Sequence, residues 1–176
     1  MNKAVTLVSI NMDPVTKAPF IILRDIEGNE TLPLWIGFLE ARAIASEIRG
    51  RKFPRPQTHD LLKNIMDQTE SKVTKVEIYD LRDNTYYALI HLTNRGESLT
   101  IDSRPSDAIA LAIRAQAPIF VSDEVLRKSR QIEGTEGNAT GDKSEQRKNW
   151  RDMLEKLQPE DFSKYKVESY SFTVRP

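Results

Sequence analysis

Val5, Leu7, Val8 and Ile10 crowd apolar residues near the start of the chain, as in a strand covered on both faces. Asp13-Pro14 marks a turn, and Phe20-Ile21-Ile22-Leu23 predicts a second strand. Glu27-Gly28-Asn29 has hairpin-turn chemistry, and Leu32, Leu34 and Ile36 alternate on the strand that returns. Pro33 has no amide hydrogen to donate, so that strand is expected at a sheet edge or a bulge. After Gly37 the period becomes helical. Ile44, Ala45 and Ile48 share a face of a helix over 39–49, and Gly50 stops it. Thr58 is expected to cap a second helix, 58–69, that carries Leu61, Leu62, Ile65 and Met66.

Strands return after Ser71. Val76 and Ile78 alternate with polar neighbours, then Tyr86, Ala88, Ile90 and Leu92, then Leu99 and Ile101. Arg82-Asp83-Asn84 and Asn94-Arg95-Gly96 separate these runs as turns. Pro105 suits the first turn of a helix over 105–116, where its missing N–H costs nothing. Ala108, Ile109, Leu111, Ala112 and Ile113 make that helix apolar over a wide arc, which predicts deep burial. Ile119-Phe120-Val121 reads as a short buried strand, and Ser122 as the cap of a helix through Val125 and Leu126. The order hairpin, strand, Ala-rich helix occurs twice, from Gly28 to Ala45 and from Gly96 to Ala110. Chance and duplication explain this echo equally well.

The pattern thins after Arg127. Gly134, Gly137 and Gly141 mark a flexible linker over 131–142. Asp142 with Glu145 resembles a capping box, and Trp150, Met153, Leu154 and Leu157 form one stripe of a last helix. Tyr170, Phe172 and Val174 alternate as a final strand. The expected organisation is one domain over 1–130, the linker, and a helix-and-strand extension over 143–176. The fold class is α+β. Two strand–hairpin–helix units build a mixed or largely antiparallel sheet packed by helices, with a C-terminal helical appendage.

Composition narrows the chemistry. The chain has 176 residues and no cysteine, which removes disulfides, thiolate metal sites and a cysteine nucleophile. It has two histidines, His59 and His91. No basic leader with a long apolar core opens it, and no run approaches the roughly 20 apolar residues of a membrane span. A cytoplasmic protein is expected, with no membrane partner. Lys+Arg and Asp+Glu both number 26, so any contact with nucleic acid needs a local patch. Phosphate-cradling glycine loops, nucleophile elbows and paired-histidine metal motifs are absent from the sequence. Glu70-Ser71-Lys72 has the letters of a nuclease core, but Asp60 lies across a helix from it.

Three clusters can carry chemistry. From Arg42 to Arg55 five positive charges (Arg42, Arg49, Arg51, Lys52 and Arg55) face one negative, Glu47. Such a loop binds phosphates or is simply solvated. His59 and Asp60 follow Thr58 at a helix start, as a general base and a metal ligand or as capping residues. Asp102-Ser103-Arg104-Pro105-Ser106-Asp107 spans a strand-to-helix junction. There Arg104 can clamp a phosphate and Asp107 can hold Mg²⁺, or the two can pair with each other. Glu40 occupies the equivalent place in the first unit.

Three separated blocks carry a family resemblance. They are Leu32-Pro33-Leu34-Trp35-Ile36-Gly37 with Glu40-Ala41, Arg55-Pro56 with Thr58-His59-Asp60-Leu61-Leu62, and Ser103-Arg104-Pro105-Ser106-Asp107-Ala108 followed by Pro118-Ile119-Phe120-Val121. Together they resemble the bifunctional nuclease domain family over about residues 3 to 130. Pro159-Glu160-Asp161-Phe162 resembles the extension of many bacterial members. The resemblance implies an α+β fold and the degradation of RNA and DNA reported for plant members. It carries no established mechanism. The family-motif positions it transfers are Glu40, Arg55, His59, Asp60, Arg104, Ser106 and Asp107.

Two functional readings follow. In the first, the chain is a metal-dependent nuclease. Glu40, His59, Asp60 and Asp107 are catalytic, and Asp60 and Asp107 hold Mg²⁺ or Mn²⁺. Arg104, Ser106, Arg55, Arg51 and Lys52 bind DNA or RNA. In the second, it is a non-catalytic regulatory or binding module that takes an anion, a nucleotide or a protein at the same motifs. A bland third reading leaves the blocks to specify the fold. Carboxylates that converge within about 4–5 Å favour the first, and carboxylates in separate caps the second. A homodimer is expected from the edge at Pro33 and the apolar tail.

Overall fold

A computed structural model of the chain describes residues 1–135 apart from 15 and 29. Two three-stranded meanders, each leading into a helix, organise it. The first is β1 (Asn2–Met12), β2 (Pro19–Asp25), β3 (Thr31–Trp35) and α1 (Phe38–Ile48). After α2 (Thr58–Gln68), the second is β4 (Ser71–Arg82), β5 (Thr85–Asn94), β6 (Glu97–Ser103) and α3 (Pro105–Ala115). Then β7 (Ile119–Ser122) and α4 (Asp123–Thr135) follow. The three main helices lie within one residue of the spans expected from periodicity.

One seven-stranded sheet runs in the order β3-β2-β1-β7-β4-β5-β6. Strand β7 joins the two meanders, antiparallel to β1 and parallel to β4. The sheet is therefore mixed, with every other pairing antiparallel. Turn chemistry sets the registers. Asp83 and Asn84 take φ of 47° and 58°, and Arg95 and Gly96 take 49° and 87°, as tight two-residue hairpins require. Strand β3 is an edge, where Pro33 withholds no ladder bond from a second neighbour.

The core lies where one sheet face meets α3. Val76, Ile78, Ala88 and Val121 are fully buried, and so are Ala108, Ile109, Ala110 and Ala112. Small side chains on α3 let α1 approach it closely, and Ile44 of α1 is also fully buried. Ser122 caps α4 as expected, its Oγ accepting the Val125 N–H at 3.2 Å.

Two expectations change. Residue Gln57, not Thr58, is the N-cap of α2, because the Asp60 carboxylate reaches back to the Gln57 N–H at 2.8 Å and starts the helix there. Helix α4 runs to Thr135, so the first five positions of the expected linker are helical. The rest of the linker and the 143–176 extension lie outside the described residues. Among the described residues no helix is long and apolar enough to cross a membrane.

Ile109→Ala removes most of a fully buried side chain between α3 and the sheet. It is expected to cost about 2–4 kcal/mol, read as a lower urea midpoint with unchanged slope.

Candidate functional site

The first turns of α1, α2 and α3 each hold an acid at the third helical position: Glu40, Asp60 and Asp107. That position faces the unpaired N–H groups of a helix start, so each acid is locally favoured there. Two of the three acids meet through one arginine. Arg104, the N-cap of α3, gives Nε to Asp107 Oδ2 at 2.6 Å and Nη2 to Asp107 Oδ1 at 3.1 Å. Its Nη1 lies 3.0 Å from Glu40 Oε1. The fork so spans the starts of α3 and α1.

Asp107 reaches a third helix as well. Its Oδ1 lies 3.2 Å from His59 Nε2, which stands in the first turn of α2. Glu40, Arg104, Asp107 and His59 therefore form one chain of polar contacts. His59 is mostly buried and Asp107 half-buried, while Arg104 keeps 66% of its side chain exposed. Burial pushes the Asp107 carboxyl up, but the hydrogen bonds from Arg104 and His59 and their charges outweigh it and hold it below its ordinary range. The Arg104 guanidinium is pushed further up, first by its bond to Asp107.

Gly37 belongs to this geometry. A Cβ added there would run into Glu40 Oε2, so the carboxylate occupies the space a side chain would need. Any other residue at 37 forces the Glu40 carboxylate, which also holds Arg104, to shift.

Asp60 neighbours His59 in sequence but turns elsewhere. Its Oδ1 accepts Arg114 Nε at 2.6 Å, and Arg114 also donates to the carbonyls of Ala110 at 3.0 Å and Ala43 at 3.1 Å. Arg114 is 5% exposed, so one guanidinium pins α2 and α1 to the end of α3. Burial raises the Asp60 carboxyl. The Arg114 hydrogen bond, the Gln57 N–H and the nearby positive charge overcome it, and the group sits below its usual value of 3.8.

The other expected residues fall outside the cluster. Ser106 is buried in the first turn of α3. Arg51, Lys52 and Arg55 are exposed on the loop between α1 and α2. The acidic residue of Glu70-Ser71-Lys72 pairs with Arg95 at 3.3 Å on the opposite hairpin and joins no other acid of the site.

The donor set does not fit a divalent cation in this arrangement. Both Asp107 oxygens receive Arg104 or His59 nitrogens, and both Asp60 oxygens receive N–H groups. A hard cation needs several free oxygens on one point. Among the described residues no group of three His, Asp or Glu side chains is placed to hold a metal.

Sequence reasoning missed Arg114 and the role of Gly37. A signal existed for the first: Arg114 is the one charge between Asp107 and Gln116 on an otherwise apolar helix. A lone buried charge implies a partner on another element.

Arg114→Met is expected to lose about 2–4 kcal/mol at pH 7, because it strands the Asp60 carboxylate and two carbonyls. The folded Asp60 carboxyl titrates below 3.8, so the stability from this pair is complete above that pH and lost as pH falls through the lowered value. The gap between wild type and variant should therefore close in acid, checked by urea titration from pH 7 down to pH 3.

Comparison with known proteins shows the family. The sequence model described as bifunctional nuclease domain matches residues 21–133, a span that includes every residue of the cluster. An uncharacterised protein of Mycobacterium tuberculosis (strain H37Rv) is 34% identical over 162 residues, covering 90% of this chain and 96% of that protein. A protein named bifunctional nuclease 2 of Oryza sativa subsp. japonica is 34% identical over 115 residues, 63% of this chain and 35% of its own length. A protein named bifunctional nuclease 1 of Arabidopsis thaliana is 27% identical over 108 residues, 59% of this chain and 33% of its own. The chain belongs to the bifunctional nuclease domain family.

Proposed function

We propose that the chain is a nuclease that cleaves phosphodiesters at the junction of α1, α2 and α3, with His59 as proton acceptor. One observation carries this reading: the Asp107 carboxylate is shared between an imidazole and an exposed guanidinium. A carboxylate at Nε2 favours the tautomer with its proton there and leaves Nδ1 as the basic nitrogen. The same carboxylate stabilises the imidazolium that forms when Nδ1 takes a proton. Arg104, two-thirds exposed, has donors that a phosphate can take over from Glu40.

The step balances without further groups. A water oxygen attacks phosphorus and its proton passes to His59 Nδ1. The new P–O bond forms as the P–O bond to the leaving nucleoside breaks, and the leaving oxygen takes a proton from solvent. Arg104 offsets the charge that builds on the phosphoryl oxygens.

The basic loop fits as the substrate track. Helix α1 runs away from the cluster, and the loop returns beside it, with the Arg42 guanidinium 5.8 Å from the Phe53 ring centroid. Exposed Arg51, Lys52 and Arg55 then line the return towards His59, where they can neutralise successive phosphates of DNA or RNA.

A second reading has its own observation. Every charged group of the cluster already has a partner within the chain, which suits a brace between helices or an anion-binding module without turnover.

Labelled single- and double-stranded DNA and RNA separate the two. The nuclease reading expects cleavage that persists in EDTA, since no step uses a metal. His59→Ala should lower it by about 10²–10⁴-fold, and Arg104→Met should raise KM. Cleavage unchanged in folded His59→Ala, or abolished by EDTA, overturns this mechanism. Oligonucleotide binding without cleavage favours the module.

A further inference from the structure

Positive charge is treated differently in two regions of the molecule. Around the sheet and the other helices, Lys3, Lys63, Arg95 and Arg130 each reach an acid. On α1 and the loop after it, Arg42, Arg49, Arg51, Lys52 and Arg55 are all exposed, and none forms an ion pair among the described residues. The one acid in their stretch, Glu47, lies 3.9 Å from Arg114 instead. Their mutual repulsion is therefore left standing, and a polyanion would relieve it.

Aromatic rings interleave with these charges. Phe38 opens α1 and is 63% exposed, and Trp35 ends β3 and is 51% exposed. Phe38 and Arg42, four residues apart, share one face of α1 about 6 Å apart along its axis. The Arg42 guanidinium lies 5.8 Å from the centroid of the Phe53 ring on the loop. Glu40 stands two residues from both Phe38 and Arg42, about 200° around the helix, so this strip is not the face that meets Arg104. Pro54 and Pro56 disfavour helix at Phe53 and Arg55, so the loop cations are strung along the chain and do not share one helix face.

We infer that this strip binds single-stranded nucleic acid, with bases stacked on Phe38, Phe53 and Trp35 and phosphates held by Arg42 and the loop cations. Aromatic faces take bases only where those bases are unpaired, and a duplex keeps them hidden. Stacking is indifferent to sequence and to the sugar, so DNA and RNA both fit. An anionic membrane also attracts cations beside exposed rings. Here the rings lie between guanidinium groups, and one already rests under Arg42, which suits a polymer that alternates base with phosphate. The strip borders the cluster on two sides: Phe38 opens the helix whose first turn holds Glu40, and Arg55 precedes His59 by four residues. It rests on the substrate track proposed above and makes that track selective for single strands.

The test reads binding, so turnover does not enter it. Labelled phosphorothioate-linked DNA and RNA of about twelve nucleotides, single-stranded and as duplexes, are titrated with the full chain by fluorescence anisotropy. The single strand should bind about tenfold tighter than the duplex. Its log affinity should fall against log salt with a slope of about −2 to −3, as for three or four neutralised phosphates. Phe38→Ala should weaken single-strand binding by about five- to a hundredfold and leave the salt slope and duplex binding unchanged. Phe38→Tyr, which keeps a ring face, should bind as wild type does. Arg51→Gln with Arg55→Gln should weaken both forms and flatten the single-strand slope by about 1.4. These side chains are exposed, so each variant should melt as wild type does. Equal or tighter binding of the duplex, wild-type affinity in Phe38→Ala, or binding to phosphatidylserine vesicles in place of oligonucleotides overturns the inference. Single-strand binding without cleavage leaves the strip standing and removes the nuclease. Cleavage with equal affinity for both forms does the reverse.

Discussion

Helix α3 is the constraint on which the other helices depend. Ala108 to Ala112 are almost wholly buried between the sheet and α1, so this helix can carry charge only at its ends. Each end does so with an arginine that reaches another element. Arg104 takes Glu40 of α1, and Arg114 takes Asp60 of α2 and the Ala43 carbonyl of α1. Close packing of small residues sets the separation of the helices, and the two guanidinium forks set their orientation. Neither works alone. Alanines permit many rotations of α1 against α3, and exposed ion pairs by themselves contribute little.

The site is a by-product of that arrangement. Three helix starts converge because α3 anchors α1 and α2, and each start brings an acid suited to it. The acids do not pool. They are shared out between Arg104, His59 and Arg114, and these contacts hold the Asp107 and Asp60 carboxyls below their ordinary range in half-buried surroundings. A neutral chain concentrates its chemistry in this way: positive charge on the loop from Arg42 to Arg55, and matched pairs at the junction. Under the proposed function, the exposed side of Arg104 is where a phosphodiester enters the network.

The sequence carried the fold well where period and turn chemistry agreed. Pro33 marked an edge strand, Gly96 a tight hairpin, and Pro105 the start of the buried helix. The two strand–hairpin–helix units emerged as two meanders with α1 and α3 in contact. The site was less legible. Glu40, His59, Arg104 and Asp107 stand out in the sequence, and so does Asp60, which the sequence gives no reason to separate from Asp107. Adjacent positions on a helix point about 100° apart, and Arg114, 54 residues downstream, claims Asp60 instead. Spacing along one chain segment says nothing about a partner on another helix. Gly37 marks the change from strand to helical period, and its lack of a side chain also makes room for the Glu40 carboxylate.

Chemical rescue tests the central claim most directly. His59 is mostly buried, so His59→Gly leaves a pocket of imidazole size beside Asp107. If Asp107 holds His59 as the base, added imidazole should restore cleavage of a labelled oligonucleotide in that variant, saturably, and should not do so once Asp107→Asn is added. A folded His59→Gly protein that cleaves as wild type does, or that imidazole leaves inactive, would contradict the account.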